Sequence, residues 1–148
     1  MAVRLKWRGK EFNALVARKV RRGIAAATVE LHKIAQKMAS IPNTGQTVEV
    51  QRQTPGGNKS TRTVYPNSSK PGEPVRRRTG HGQKNIVYIV TDTVGRVGYT
   101  ANARYMTFHE LGIRYTRGIQ QRPTIVPALW NNLPRLKAIF RRVAEATK

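Results

Sequence analysis

The stretch that decides the fold is residues 11–39, which read EFNALVARKVRRGIAAATVELHKIAQKMA. Apolar side chains recur there every three or four residues, a spacing that places them on one face of an α-helix. Such a helix is roughly 40 Å long, which is more than a domain of this size covers by itself. The apolar face consists of Val16, Val20, Ile24, Ala27, Leu31, Ile34 and Met38, and the back face carries Arg18, Lys19, Arg21, Arg22, Lys33 and Lys37. This basic face is either solvated or in contact with an acidic neighbour or a nucleic acid.

The segment after this helix predicts a hairpin and an extended loop. Pro42 and Gly45 end the helix, because proline cannot continue it and glycine tolerates the left-handed turn. Residues 46–53 and 60–65 alternate β-branched or apolar with polar residues around a Pro-Gly-Gly turn, a pattern typical of a β-hairpin. With so few core residues, we expect this hairpin to project from the body and to offer strand edges to a neighbouring subunit. Residues 66–83 are rich in proline and glycine and predict an irregular segment.

The last third of the chain predicts a second hairpin and two helices. Residues 85–91, NIVYIVT, are the best strand, and their continuous apolar run predicts burial on both faces. Residues 94–100 form its antiparallel partner. A short helix then spans residues 101–111 and ends at Gly112. We expect Tyr105, Phe108 and Leu111 to pack this helix on the sheet. A final helix begins at Ala128 and is kinked or restarted at Pro134.

Together these elements predict one α+β domain over residues 1–148. A long N-terminal helix and a C-terminal helix pack on a small antiparallel sheet, and a β-hairpin projects from it. Within the domain, residues 1–45 are the long basic helix and residues 46–83 are the projecting hairpin and extended loop. Residues 84–148 supply the second hairpin, the short helix, a loop and the C-terminal helix.

Charge is the dominant feature of the composition. The chain has 28 Lys and Arg against 7 Asp and Glu, a net charge of +21. The net values over residues 1–40, 41–80 and 81–148 are +8, +5 and +8, so the body itself is basic. A chain this positive repels itself when compact, which predicts an anionic partner. Its hydrophobic content of 39% is low for a self-sufficient globule and suggests that neighbours contribute stability.

The sequence predicts no catalytic, cofactor or metal site. There is no cysteine, and the seven acids are scattered singly along the chain. His109-Glu110 begins like a zinc-protease helix, but position 113 is Ile where the second histidine ligand would stand. No apolar run approaches the ~20 residues of a membrane span, and the N-terminus lacks the pattern of a signal peptide. We therefore expect a cytoplasm-like compartment and no membrane.

Arginines are the candidate interface residues. Arg76-Arg77-Arg78 lies on an irregular segment, where its guanidinium groups can reach phosphates or carboxylates, or can remain solvated. No recognition helix or interleaved aromatic pattern is visible, so any contact with DNA is expected to be independent of base sequence and sensitive to salt. The candidates for a subunit interface or a DNA channel are Arg76, Arg77, Arg78, Arg18, Arg21 and Arg22.

Three ordered sequence blocks resemble a known family. Residues 71–74, PGEP, followed by Arg78-Thr79-Gly80 and Ile86, resemble a "PGEPP…TG.L..SI" stretch. Residues 103–112, ARYMTFHELG, resemble "A.Y..F.EFGT", and residues 122–129, RPTIVPAL, resemble "RPFL.PAL". This family comprises small neck and tail-completion proteins of long-tailed bacteriophages. The matching residues are Pro71, Gly72, Pro74, Thr79, Gly80, Tyr105, Phe108, Glu110, Gly112, Arg122, Pro123 and Pro127.

The resemblance implies a structural role in a virion. It covers about a third of the chain, with Leu111 and Ile113 departing from the usual Phe and Thr or Ser, and residues 46–66 inserted relative to the shortest members. It implies a homo-oligomeric ring, six-fold or twelve-fold, at the neck or upper tail. The ring would be assembled in the host cytoplasm and would contact connector or stopper and tail-tube proteins, without catalysis. Two alternatives remain: a sequence-independent nucleic-acid-binding protein, and an enzyme acting on an anionic substrate through His109 or Glu110.

Overall fold

The fold is α+β, as the sequence predicts. The computed structural model describes residues 9–42, 46–51, 59–64, 69–75, 79–112 and 121–147. The elements in chain order are α1 (Gly9–Met38), β1 (Gln46–Gln51), β2 (Lys59–Val64), α2 (His81–Lys84), β3 (Ile86–Val90), β4 (Gly95–Tyr99), a 3₁₀ turn (Ala101–Ala103), α3 (Arg104–Leu111), α4 (Ile125–Trp130) and α5 (Leu133–Ala146). Arg76, Arg77 and Arg78 and the predicted turn of the first hairpin lie outside the described residues.

Both predicted hairpins are present, and each is a separate two-stranded antiparallel sheet. In the first, β1 pairs with β2 from Gln46 opposite Val64 to Gln51 opposite Lys59. In the second, β3 pairs with β4 from Ile86 opposite Tyr99 to Val90 opposite Gly95.

Helix α1 packs on the β3–β4 sheet on one side and on α5 on another. Its close approach to the sheet requires a glycine, since a Cβ on Gly95 would lie 1.8 Å from the Thr28 hydroxyl oxygen. The His32 ring also reaches β3, with Nε2 2.9 Å from the Ile86 carbonyl oxygen. The core between these elements is small and consists of Ala35, Ala39, Ile86 and Ala128, with Leu31, Ile34, Met38, Val97, Tyr99 and Ile125 packed against it.

Helices α1 and α5 run antiparallel. Gly23 faces the Phe140 ring, and Glu30 binds Arg135 at 2.6 Å, so residue numbers rise along one helix as they fall along the other. This alignment brings the end of α5 near residue 18 of α1. Residues 10–14 and 16–18 of α1 are all exposed, so the start of the helix extends past its partner.

Three expectations about burial are wrong. The apolar run of β3 is not buried on both faces. On the side that α1 covers, Ile86 is buried but Tyr88 is 45% exposed, and on the other side Val87 and Ile89 are 38% and 61% exposed. Val16 is also exposed, because it lies beyond the end of α5. In α3 the buried side chains are Met106 and Glu110, whereas Tyr105 and Leu111 are exposed.

The helix ends agree with the turn chemistry of the sequence, with one exception. Gly112 ends α3 with a φ of 64°, a left-handed conformation that favours glycine. Pro134 lies in the first turn of α5, where its missing N–H costs nothing. Helix α4 begins at Ile125, three residues before the predicted start at Ala128. Its first turn depends on a carboxylate from α3, which the local pattern does not reveal.

Candidate functional site

The resembling sequence blocks meet at one buried carboxylate. Glu110, 8% exposed on α3, uses both oxygens to accept backbone hydrogen bonds. Oε2 accepts the N–H of Thr124 at 2.8 Å, and Oε1 accepts the N–H of Val126 at 2.7 Å. These amides lie at the start of α4, where backbone N–H groups have no intrahelical partner. Glu110 therefore caps α4 from a separate helix, and the helix dipole favours its negative charge there.

Gln121 joins the remaining block to this carboxylate. Its side-chain NH₂ group donates to the backbone carbonyl oxygen of Glu110 at 3.0 Å. Its backbone carbonyl oxygen accepts the N–H of Gly72 at 2.9 Å. Gly72 has a φ of 84°, and a Cβ on Gly112 would approach the Cβ of Gln121 to 3.0 Å. Glycine is thus needed at both positions for conformational or steric reasons. We call Gly72, Glu110, Gly112, Gln121 and Thr124 the motif junction.

Of the motif junction, the matching residues include Gly72, Glu110 and Gly112 but neither Thr124, which lies within a resembling block, nor Gln121, which lies outside all three blocks. Its neighbours in the chain are polar and irregular, and no spacing marks it. Glu110 is one of the matching residues, but the local sequence does not predict its burial, because glutamate side chains are mostly exposed in folded proteins.

Two titratable groups beside the motif junction have shifted pKa values. Burial, and then the positive charge of Arg122, lower the pKa of His109 from 6.5. The Arg122 N–H also donates to the His109 carbonyl at 2.8 Å. Burial raises the pKa of Tyr99 above its usual value of 10.0, and the Glu110 carboxylate adds to this effect. The Tyr99 hydroxyl donates to Glu110 Oε2 at 3.3 Å, so this contact requires the neutral phenol.

The other matching residues surround the motif junction or shape nearby backbone. Thr79 accepts the N–H of His81 through its hydroxyl at 3.3 Å, and Gly80 has a φ of 78°. Tyr105 stacks on the His81 ring, with centroids 6.2 Å apart. The rest are Pro71, which is exposed, and Pro74, Phe108, Pro123 and Pro127, which are half-buried.

A second candidate site is the surface of α1 and α5. Arg21 pairs with Asp92 at 3.2 Å, and Arg135 pairs with Glu30, so each of these arginines has an acidic partner. Arg142 lies two turns beyond Arg135 on the same side of α5, and the facing turn of α1 carries Lys19 and Arg22 instead of an acid.

These positive charges are poorly neutralised. Within the described ranges no acid pairs with Arg18, Lys19, Arg22, Arg141 or Arg142, which we call the basic helix face. Of the predicted interface arginines, the structure therefore places Arg18 and Arg22 together and gives Arg21 an acidic partner.

The rings of the other two histidines contact backbone carbonyl groups. His32 contacts the Ile86 carbonyl, and His81 Nε2 lies 2.9 Å from the Asn102 carbonyl oxygen. No group of three or more potential metal ligands occurs among the residues described here. None of the described helices combines the length and apolar character needed to cross a bilayer.

Comparison with known proteins gave no match to a protein-family model, to a curated protein or to a solved structure. The family resemblance therefore depends on the three sequence blocks themselves.

Proposed function

We propose that this chain is a structural subunit of the head–tail junction of a long-tailed bacteriophage. In this role it forms a ring that joins the tail tube to the capsid connector, as a neck, tail-completion or tail-terminator protein. Its partners are copies of itself, the connector or stopper protein and the tail-tube protein, and its place is the neck or upper tail of the virion. The role includes no catalytic step.

The observation that carries this proposal is the Glu110 contact with the start of α4. It connects the two longest resembling blocks, residues 103–112 and 122–129, through a pair of short hydrogen bonds. Gln121 adds the third block through Gly72. Sequence blocks that are separate along the chain thus serve one structural purpose, which supports reading them as one pattern. The Glu110 carboxylate is engaged in this contact, which also favours a structural role over acid–base chemistry.

The test is a phage genome in which the reading frame of this chain carries an early stop codon. We expect DNA-filled heads and separate tails in electron micrographs of lysates, because the two parts lack the subunit that joins them. A plasmid copy of the unchanged chain should restore joined particles. Normal virions from the stop-codon genome would contradict the proposal.

The basic helix face favours a second candidate function, sequence-independent binding of a nucleic acid. Four exposed arginines and one half-buried lysine on two adjacent helices match the phosphate backbone, which is recognised mainly through charge. This function is compatible with a ring around DNA, but it does not require one.

Salt dependence of duplex binding tests this second function. Replacing Arg18, Arg22 and Arg142 together by Gln should weaken binding and reduce the slope of log K against log salt by about 2.7, at roughly 0.9 per phosphate contact. The matched control replaces Lys70, Lys84 and Arg104 by Gln. These residues are exposed and lie outside α1 and α5, and the control loses the same charge. Equal effects of the two triple variants would mean that net charge alone, and not this face, governs binding.

A further inference from the structure

The β3–β4 sheet has two edges without a partner strand in the described structure. At the turn of this hairpin the Thr91 N–H donates to the Val94 carbonyl oxygen. At its other end the Thr100 N–H donates to the Asn85 carbonyl oxygen. Because bonded pairs alternate along an antiparallel ladder, the backbone groups of Tyr88 and Val90 point away from β4. Those of Val97 likewise point away from β3, and no described residue bonds to them.

The outer face of the same sheet is also open. Val87 and Ile89 lie on the side opposite α1, and a Cβ on Gly98 would meet no atom within 4 Å. Tyr88 and Val94 add further exposed apolar surface on this hairpin. Sheet edges in monomeric proteins are usually protected by charge, proline or bulges, but the β3 sequence IVYIV has none of these.

We propose that β3 of one copy of this chain pairs antiparallel with β4 of the next copy. The sheet then continues from subunit to subunit with α1 on the same face throughout. In the register that repeats the internal one, Ile89 of one copy lies opposite Arg96 of its neighbour. This inference deepens the ring proposal by naming the contact, and it depends on self-association but not on a viral role.

The distribution of charge indicates that the strand paired with each free edge belongs to another copy of this chain. Two chains of net charge +21 repel each other over most of their surface. Residues 85–103 contain one acid and one base, Asp92 and Arg96, and so have no net charge. This hairpin is therefore a place where two copies approach without strong repulsion.

The two free edges also fit one another. Each chain offers a β3 edge and a β4 edge, so the same contact repeats in a head-to-tail manner and closes a ring when the rotation between copies permits. An unrelated strand would occupy only one edge and would leave the other exposed.

The first test measures the oligomer by sedimentation at an ionic strength that screens repulsion. Ile89→Lys places a charge opposite Arg96 of the neighbouring copy and should weaken self-association several-fold, because like charges directly opposite one another on paired strands repel. The matched control is Leu111→Lys on α3, since Leu111 and Ile89 are both 61% exposed. Leu111→Lys should leave association unchanged, and the far-ultraviolet spectra of both variants should match that of the unchanged chain.

The second test uses the absence of native cysteine. Two single variants, Ile89→Cys and Arg96→Cys, are mixed and oxidised, one of them carrying a mass tag. The proposal predicts a mixed disulfide that forms faster than the Leu111→Cys pairing with either variant, since opposed Cβ atoms lie about 5 Å apart.

Three results would overturn the inference. These are an unchanged oligomer of Ile89→Lys, a monomer for the unchanged chain at all ionic strengths, and no preference for the mixed disulfide. The first and third results leave the head–tail proposal untouched. A monomer at all ionic strengths would also contradict the ring in that proposal, whereas the viral role itself is tested separately by the stop-codon genome.

Discussion

Glu110 is the residue on which the most separate parts of the chain depend. Its two carboxylate oxygens accept two backbone N–H groups, and Tyr99 adds a third, longer contact. A buried carboxylate is costly unless hydrogen bonds compensate for the lost water. Here the start of α4 provides that compensation, so α3 and α4 stabilise each other through a single side chain.

Replacing Glu110 by Gln should destabilise the chain by about 1–3 kcal/mol. The amide keeps one acceptor oxygen, but its NH₂ group faces a second N–H donor and leaves that donor without a partner. Chemical denaturation of the purified variant measures the loss. Glu145→Gln on the exposed side of α5 is the control and should change stability by less than about 0.5 kcal/mol. Equal stability of both variants would mean that water replaces the contact at Glu110.

His109 should make the chain less stable in mild acid. Its pKa is lowered in the folded state, so between that pKa and 6.5 the unfolded chain binds the additional proton. The free energy of unfolding is therefore expected to fall as the pH decreases through this window and to be unaffected by His109 above it.

The pH dependence of thermal unfolding tests this sign. His109→Gln should flatten the decrease between neutral and mildly acidic pH, whereas His81→Gln keeps His109 and should retain it. A nuclear magnetic resonance titration that gives His109 a pKa above 6.5 would contradict the expectation.

At the scale of elements, the sequence predicts what periodicity and turn chemistry control. The bounds of α1, both hairpins and the end of α3 at Gly112 follow from local patterns. The start of α4 and the buried face of α3 do not, because both depend on Glu110, whose partners are more than a dozen residues away. The prediction that β3 is buried on both faces fails for a different reason. The apolar run of β3 predicts a covering layer on each face, and the single chain does not supply one of them.

Contact between α1 and α5 requires a glycine at position 23. A Cβ there would lie 2.6 Å from the Phe140 ring, so Gly23→Ala must displace that ring. We expect a loss of about 1–3 kcal/mol from overpacking, which exceeds the gain of about 1 kcal/mol from the better helix propensity of alanine.

A double-mutant cycle separates these two effects. Phe140→Leu removes the ring, so Gly23→Ala should be less destabilising in that background than in the unchanged chain. Denaturation midpoints of the four proteins give the coupling. Additive losses would indicate that the helices separate at this point without specific packing.

For the whole molecule, the balance between charge and core decides stability. A small core of mostly alanine-sized side chains holds a chain of net charge +21, and its described ion pairs, Arg21 with Asp92 and Arg135 with Glu30, involve exposed arginines. Exposed ion pairs contribute about 0–1 kcal/mol each. Repulsion among the remaining positive charges acts over the whole surface and is reduced by salt.

The thermal midpoint should therefore rise with sodium chloride, as the screening length falls from about 30 Å at 0.01 M to about 8 Å at 0.15 M. A short DNA duplex should produce a similar rise at low salt, because it binds the folded basic surface directly. The triple variant of Arg18, Arg22 and Arg142 to Gln should have a higher midpoint in low salt than the unchanged chain. Its midpoint should rise less on addition of the duplex than that of the charge-matched variant of Lys70, Lys84 and Arg104. A midpoint that falls with salt would mean that the ion pairs outweigh the repulsion, and the expectation of an anionic partner would lose its physical basis.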